Sequence, residues 1–343
     1  MTRIAIIADD LTGALDSAAP FAVRGLSTVV ATRPEAVPDA LAAGCDVVAV
    51  SLNSRLADPD EAARRAGAAA AALCAVPVWF KKVDSRLKGH VSAEIGAVQN
   101  VRPAGTVVLC PAIPEIGRVV QGARVEGFGV GPPIEVACPA LTAARLSVPD
   151  AASAADLDAI VAGADPDTLF AGARGLAAAL ARRLSGRADA APLVSSLRGP
   201  VHMLIGSRDP ITLAQVEELT ARRPEIAITL APNGRVPAEL VSGTRMLQAS
   251  EAAPPLSGDE VTEALVSGFV GHGLHRCGTL VVTGGETASA LLERLGGGLL
   301  RVAGEVLPGL PLATCEEGPD LVTKSGGFGA PDALLRLLEA ERA

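Results

Sequence analysis

The sequence predicts an α/β protein of two domains, each built on a largely parallel sheet flanked by helices. Three observations carry that expectation. Short runs rich in Val and Ile recur in both halves, separated by segments of helical spacing. The runs are nearly continuous rather than alternating, as in strands whose two faces are both covered. The chain has 343 residues, about two domains at the usual ~150 residues each.

The elements follow in order. Arg3–Ala8 is an isoleucine-rich strand that ends at Asp9-Asp10, and Leu11–Arg24 continues with helical spacing through Leu11, Ala14, Leu15 and Ala18. Thr28–Ala31 and Asp46–Leu52 read as the next strands, followed by the Ala- and Arg-rich helix Asp60–Leu73. Val78–Val83 is a strand, Val91–Asn100 a helix and Thr106–Cys110 a strand. Residues 111–149 are rich in Gly, Pro and Arg and hold no period, so loop and irregular strand are expected. Residues 149–184 read as helical turns around a short strand near Thr168–Ala171. A second α/β unit then runs from the strand Val201–Ile205 to the closing segment Asp332–Glu341, and the boundary is expected between residues 140 and 200.

Composition excludes several classes. Charged residues make up 20% and hydrophobic ones 49%, which does not describe a disordered chain. The net charge of −8 argues against nucleic acid as a partner, because a phosphate backbone demands a basic face. The first apolar run stops at Asp9, and the uncharged stretch 66–80 falls short of a spanning helix. No membrane association and a cytoplasmic location are therefore expected. The six cysteines show no CxxC spacing, and Gly271 and Gly273 interrupt the helix that a His272/His275 pair would need, so no metal ligands are assigned. Lysine is scarce: four lysines stand against 26 arginines, three of them at Lys81, Lys82 and Lys88 and the fourth at Lys324.

Five stretches carry chemistry. Asp9 and Asp10 stand at the carboxyl end of the first strand, where open α/β sheets bind ligands. Helix capping accounts for one aspartate well and for two poorly. Lys82, Asp84, Ser85 and Arg86 follow another strand onto the same edge, and a Lys beside an Arg suits a carboxylate or phosphate. A solvated surface loop is the competing reading of that charge run. Gly284, Gly285, Glu286 and Thr287 join a strand to an amphipathic helix, which offers free amides to a phosphate or forms a plain tight turn. Gly326 and Gly327 after Lys324 suggest a backbone nest. Gly206-Ser207 opens a further strand–helix turn.

In this order the stretches resemble the four-carbon acid sugar kinase family. The resemblance rests on Ala8–Ala14, Lys82–Gly89, Pro111–Arg118, Gly206–Gln215, Gly284–Ala288 and Lys324–Gly329, and so spans nearly the whole chain. It implies a sugar-acid-binding domain at residues 1–145, a linking helical region at 146–200 and a nucleotide-binding domain at 201–343. It implies ATP with Mg²⁺ as cofactors and a small sugar acid (threonate, erythronate or 3-oxo-tetronate) as substrate. A homodimer is compatible with the reading, though the sequence does not give the oligomeric state. Ser207, Gly284–Thr287, Gly326 and Gly327 match positions expected to contact ATP, whereas Lys82, Asp84, Ser85 and Arg86 match the substrate side. Asp10 or Asp9 is the expected base, and closure of the two domains would exclude water from the transferred group. Arg86, His90 and Gly117–Val120 depart from the family pattern. They leave room for another hydroxy acid, such as 4-hydroxythreonine. A non-catalytic nucleotide and sugar-acid sensor is the alternative of another class.

Overall fold

The computed structural model describes residues 2–315 and 318–342. They form two compact units, Met1–Ala191 with Gly298–Val302 and Pro192–Gly297 with Ala303–Ala343.

The first unit begins with β1 (Ile4–Ala8), buried throughout, and α1 (Leu11–Ala22). It continues through β2 (Thr28–Ala31), α2 (Val37–Ala42), β3 (Val47–Ser51), α3 (Pro59–Ala72), β4 (Val78–Lys82), α4 (Val91–Val101) and β5 (Val107–Cys110). The next strands are β6 (Arg118–Gln121), β7 (Arg124–Gly127), β8 (Ile134–Glu135) and β9 (Leu146–Ser147). Then come α5 (Ala154–Ala162), β10 (Leu169–Gly172) and α6 (Arg174–Ser185). The main sheet runs β2-β3-β1-β4-β10-β5-β9, all parallel. Leu299–Arg301 adds an antiparallel edge against Val29–Ala31 of β2. From β1 the chain crosses to β2, and from β4 it leaves toward β5 on the other side. Such a divergence opens a crevice at the carboxyl ends of the strands.

Two segments differ from the sequence expectation in detail. Part of the irregular stretch 111–149 is an antiparallel three-stranded sheet, β6-β7-β8. Its strands of two to four residues are too short to show a period. Residues 146–191 belong to the first unit, and β10 inserts between β4 and β5.

The second unit opens with β11 (Leu197–Arg198), β12 (Val201–Ile205), α7 (Pro210–Arg222), β13 (Ile228–Pro232), β14 (Met246–Ser250) and α8 (Gly258–Gly271). β15 (Thr279–Thr283), α9 (Gly285–Arg294), β16 (Leu299–Leu307), β17 (Leu310–Thr314), β18 (Asp320–Lys324), α10 (Ala333–Glu339) and β19 (Glu341–Arg342) complete it. Strands β13-β14-β12-β15-β18 are parallel, and β17 pairs antiparallel with β18. β16 lies beside β17, and its first residues belong to the first unit. β14 was not expected from the sequence, because its five residues carry the half-buried Gln248 at their centre. Among the described residues no helix is long and apolar enough to cross a membrane.

Candidate active site

In the first unit β1 delivers Asp9 and Asp10 to the carboxyl edge, both buried. Asp10 caps α1: its Oδ1 accepts the Gly13 amide at 2.7 Å, and its Oδ2 accepts the Thr12 hydroxyl at 3.0 Å. Such a cap stabilises a helix by about 1 kcal/mol. Asp9 is held differently. Arg55 Nε donates to Asp9 Oδ2 at 2.8 Å, while Arg55 Nη1 stands 2.7 Å from Asp10 Oδ2 and 3.8 Å from Asp84 Oδ2. Asp9 Oδ1 is buried and accepts no hydrogen bond among the described residues.

Electrostatics settle the charge state. Burial alone would raise the Asp9 carboxyl, but Arg55, Lys81 and Lys82 outweigh it and hold Asp9 below its ordinary 3.8. Burial pulls Arg55 down, and Asp10, Asp9 and Asp84 more than restore it, so the guanidinium stays charged.

β4 delivers Lys82, which is 5% exposed. Its ammonium has no hydrogen-bond or ion-pair partner among the described residues. A Cβ placed on Gly13 would stand 2.9 Å from Lys82 Nζ and 2.6 Å from Asp10 Oδ1. The start of α1 therefore approaches both groups closely enough to require glycine. Asp84 shapes its own loop, accepting the Arg86 amide at 2.8 Å and the Lys88 amide at 3.4 Å. Ser85 and Arg86 turn toward the small antiparallel sheet. Arg118 Nη1 donates to Ser85 Oγ at 2.6 Å, its Nε and Nη2 donate to the Phe128 carbonyl at 3.0 and 2.8 Å, and Arg86 Nη1 reaches the Gly129 carbonyl at 3.5 Å. His90 Nε2 lies 2.6 Å from the Ala57 carbonyl.

In the second unit the strand ends of β12, β15 and β18 meet. Gly284 precedes α9 at φ +97°, its amide donating to the Lys324 carbonyl at 3.1 Å. The first-turn amides of Gly285 and Thr287 have no acceptor within the helix, and the helix dipole favours an anion there. Glu286 is half-buried in the same turn. A Cβ on Gly326 would stand 2.3 Å from Ser207 Oγ, so the Gly326-Gly327 loop lies directly against Ser207. Ser207 Oγ accepts the Asp209 amide at 3.2 Å, and the Ser207 amide donates to Thr283 Oγ1 at 3.3 Å.

Lys324 does not reach into that loop as an anion ligand. Its buried ammonium donates to Thr212 Oγ1 at 2.9 Å and to the carbonyls of Ser325, Gly326 and Phe328 at 3.1–3.3 Å. It fastens the glycine loop from behind. Burial pushes its pKa down to about 7, against a smaller opposing pull from Asp209. Gln215 Nε2 adds bonds to the Phe328 and Ala330 carbonyls at 3.1 and 2.8 Å.

The predicted residues thus assemble into two clusters, one in each unit. Asp9, Asp10, Lys82 and Asp84 gather in the first, with Ser85 and Arg86 at its margin. Ser207, Gly284, Gly285, Thr287, Gly326 and Gly327 line the second. Sequence reasoning missed Arg55, which ties the carboxylates together. Its signal was present, because Asn53-Ser54-Arg55 follows the apolar run of β3 and so falls on the same carboxyl edge as Asp9.

The sugar-binding N-terminal domain family matches residues 4–126, and the nucleotide-binding C-terminal domain family matches residues 234–334. The chain is 31% identical to a D-threonate kinase of Cupriavidus necator, over 98% of this chain and 97% of that one. A D-threonate kinase of Bordetella bronchiseptica is also 31% identical, over 99% and 97%. A 3-oxo-tetronate kinase of Burkholderia multivorans is 27% identical, over 97% and 96%. Among solved structures, a Salmonella typhimurium protein shares the fold at a TM-score of 0.71, with 21% identity over 98% of each chain. A Haemophilus influenzae protein does so at 0.64, with 22% identity over 98% of this chain and 99% of that one. With both domain families matched in order and full-length relatives above 30% identity, the chain belongs to the four-carbon acid sugar kinase family.

Proposed function

We propose that this protein transfers the γ-phosphoryl group of ATP to a primary hydroxyl of a four-carbon sugar acid, with D-threonate first among the candidates. The observation that carries the reading is the Asp9–Arg55–Asp10 cluster beside the unpartnered Lys82. The Asp9 oxygen without a donor and the Lys82 ammonium without a protein acceptor suit the hydroxyl and an anionic oxygen of a hydroxy acid. A substrate hydroxyl supplies the donor, and a carboxylate or phosphoryl oxygen supplies the acceptor. The two D-threonate kinases at 31% identity support the order of candidates.

Of the two aspartates, Asp9 suits the reacting hydroxyl better. Both Asp10 oxygens are engaged in the cap, with Thr12 and with Arg55, whereas Asp9 Oδ1 is open. A carboxylate held below its ordinary range is a weak base. Phosphoryl transfer passes through a loose transition state that asks for orientation more than for early proton removal. Asp9 therefore orients the hydroxyl and receives its proton late. Lys82 and Arg86 are assigned to the acid's carboxylate, and Asp84 and Ser85 shape the loop that carries Arg86.

The second unit is assigned to the nucleotide, in keeping with the matched domain family. The amides of Gly285, Thr287, Gly326 and Gly327 would receive phosphate oxygens, and Ser207 would donate its hydroxyl. Mg²⁺ arriving with ATP would neutralise charge on the β- and γ-phosphates. Among the described residues no group of three or more His, Cys, Asp or Glu side chains is placed to hold a metal. Steady-state ADP release with Mg-ATP across D- and L-threonate, D- and L-erythronate, 3-oxo-tetronates, 4-hydroxythreonine and glycerate tests the reading. Turnover with one four-carbon acid is expected. ATP binding without turnover on any acid would replace the kinase with a sensor.

A further inference from the structure

A buried ion pair lies beneath the acid-binding edge. Lys81 Nζ stands 2.7 Å from Glu94 Oε2, with the two side chains 0% and 2% exposed. The same ammonium donates to the carbonyl of Lys82 at 2.7 Å. The other Glu94 oxygen accepts the hydroxyl of Ser54, which is also fully buried. The network therefore runs from Ser54 through Glu94 and Lys81 to the Lys82 carbonyl. Each end belongs to, or adjoins, a cation of the site. Ser54 precedes Arg55, and its amide donates to the Asp9 carbonyl at 2.9 Å. At the other end, the Lys82 carbonyl belongs to the residue whose ammonium, like Asp10 Oδ1, lies against Gly13.

Stability does not explain such a pair. Removing two charges from water is costly, and an apolar pair of the same volume commonly does as well. Apolar neighbours are close at hand, since Ile95 and Val98 of α4 and Phe80 of β4 are all buried. What an apolar pair cannot do is hold a hydroxyl and a carbonyl at fixed positions. The choice of lysine fits this task in a chain with 26 arginines and four lysines. A compact ammonium can serve a carboxylate and a carbonyl from one point, which a planar guanidinium does less readily.

We infer that Glu94, acting with Lys81 and Ser54, is a positioning residue that sets Arg55 and Lys82 against the Asp9–Asp10 pair. The inference rests on the kinase reading. It is tested on the full-length chain with Lys81→Met/Glu94→Gln, Ser54→Ala and Ser54→Thr. Each variant is measured by thermal melting, by kcat and KM for D-threonate and ATP, and by crystallography of the double variant. The double variant is expected to melt at or above the wild type, because both charges leave together. Its kcat should fall about 10²-fold, the effect of a 1 Å misplacement, with a raised acid KM and an unchanged ATP KM. Ser54→Ala should show part of the loss, and Ser54→Thr, which keeps the hydroxyl, should restore it. A double variant with wild-type kcat and an unmoved Arg55 overturns the inference. So does one that melts well below the wild type, since the pair would then be a stability element. A wild type silent with every acid would sink the kinase reading, and the positions of Arg55 and Lys82 in the double variant would decide the inference independently.

Discussion

Arg55 Nε lies 2.8 Å from Asp9 Oδ2, and that contact orients the carboxylate and, with Lys81 and Lys82, keeps it ionised. Without it Asp9 would lose the largest of the three cationic influences that offset its burial. With it Asp9 is an ionised group presenting one open oxygen.

Arg55→Met should therefore destabilise the chain at neutral pH by about 3–5 kcal/mol, the usual result of leaving a buried charge unpaired. The pH dependence has a definite sign. In the wild type the folded Asp9 pKa lies below 3.8, so its contribution to stability is present above 3.8 and is lost as pH falls through the folded value. In the variant the largest of the cationic influences that offset burial is gone, so the Asp9 pKa moves up and its contribution to stability at neutral pH shrinks. Urea unfolding from pH 7 down to pH 4 should show the gap between the two proteins narrowing. A gap that stays constant would dissociate Arg55 from the ionisation of Asp9.

Asp9→Asn should lower kcat by about 10²–10⁴-fold while leaving the ATP KM unchanged. Asp10→Asn should cost stability through the cap and the Arg55 contact. If Asp10→Asn folds normally and shows the larger kcat loss, the roles assigned to the two aspartates are reversed. Steady-state kinetics and melting curves on the two variants separate the cases.

Lys324 predicts a different pH signature. Its folded pKa of about 7 lies below the ordinary 10.5, so the unfolded chain binds more protons between those values. Stability contributed by this group must then rise as pH climbs from about 7 toward 10.5. Lys324→Met should lack that rise, so wild-type Tm minus variant Tm should increase with pH across the window. The same variant should raise the ATP KM, because the carbonyls that Lys324 holds belong to the glycine loop. A pH-independent Tm difference would mean that the ammonium titrates normally.

Gly326→Ala should raise the ATP KM with little change in the acid KM. The added carbon would stand 2.3 Å from Ser207 Oγ and 3.1 Å from the Asp209 Cβ, so the loop must move away from Ser207. Nucleotide titration by calorimetry checks this directly. An unchanged ATP affinity would remove the Gly326 loop from the nucleotide site.

The sequence made the strand ends legible because a parallel sheet places every ligand-bearing loop at one edge. Asp9, Lys82, Ser207 and Gly284 could be located from the apolar run that precedes each. Arg55 escaped because its segment carries no unusual cluster, and its importance arises from a turn that brings it back across β1. The role of Lys324 was legible as scarcity but not as direction: no spacing says that an ammonium turns toward carbonyls behind a loop rather than toward a phosphate in front of it. β14 and β16 were missed for a similar reason. β14 is short with a polar centre, and β16 alternates buried and less buried residues over its first half, which breaks the continuous apolar run expected of a strand covered on both faces.

The first unit takes its last strand segment, residues 298–302, from more than a hundred positions beyond Ala191. A chain truncated at Ala191 would keep α1 and the whole parallel sheet but would leave Val29–Ala31 with unpaired backbone groups along an apolar strand. Bare edges of that kind recruit other strands. Dissected at its most obvious boundary, the acid-binding half would be expected to aggregate rather than fold as a clean monomer. Isolating it calls for a circular permutant or a short linker that carries Leu299–Arg301 back to the edge of β2.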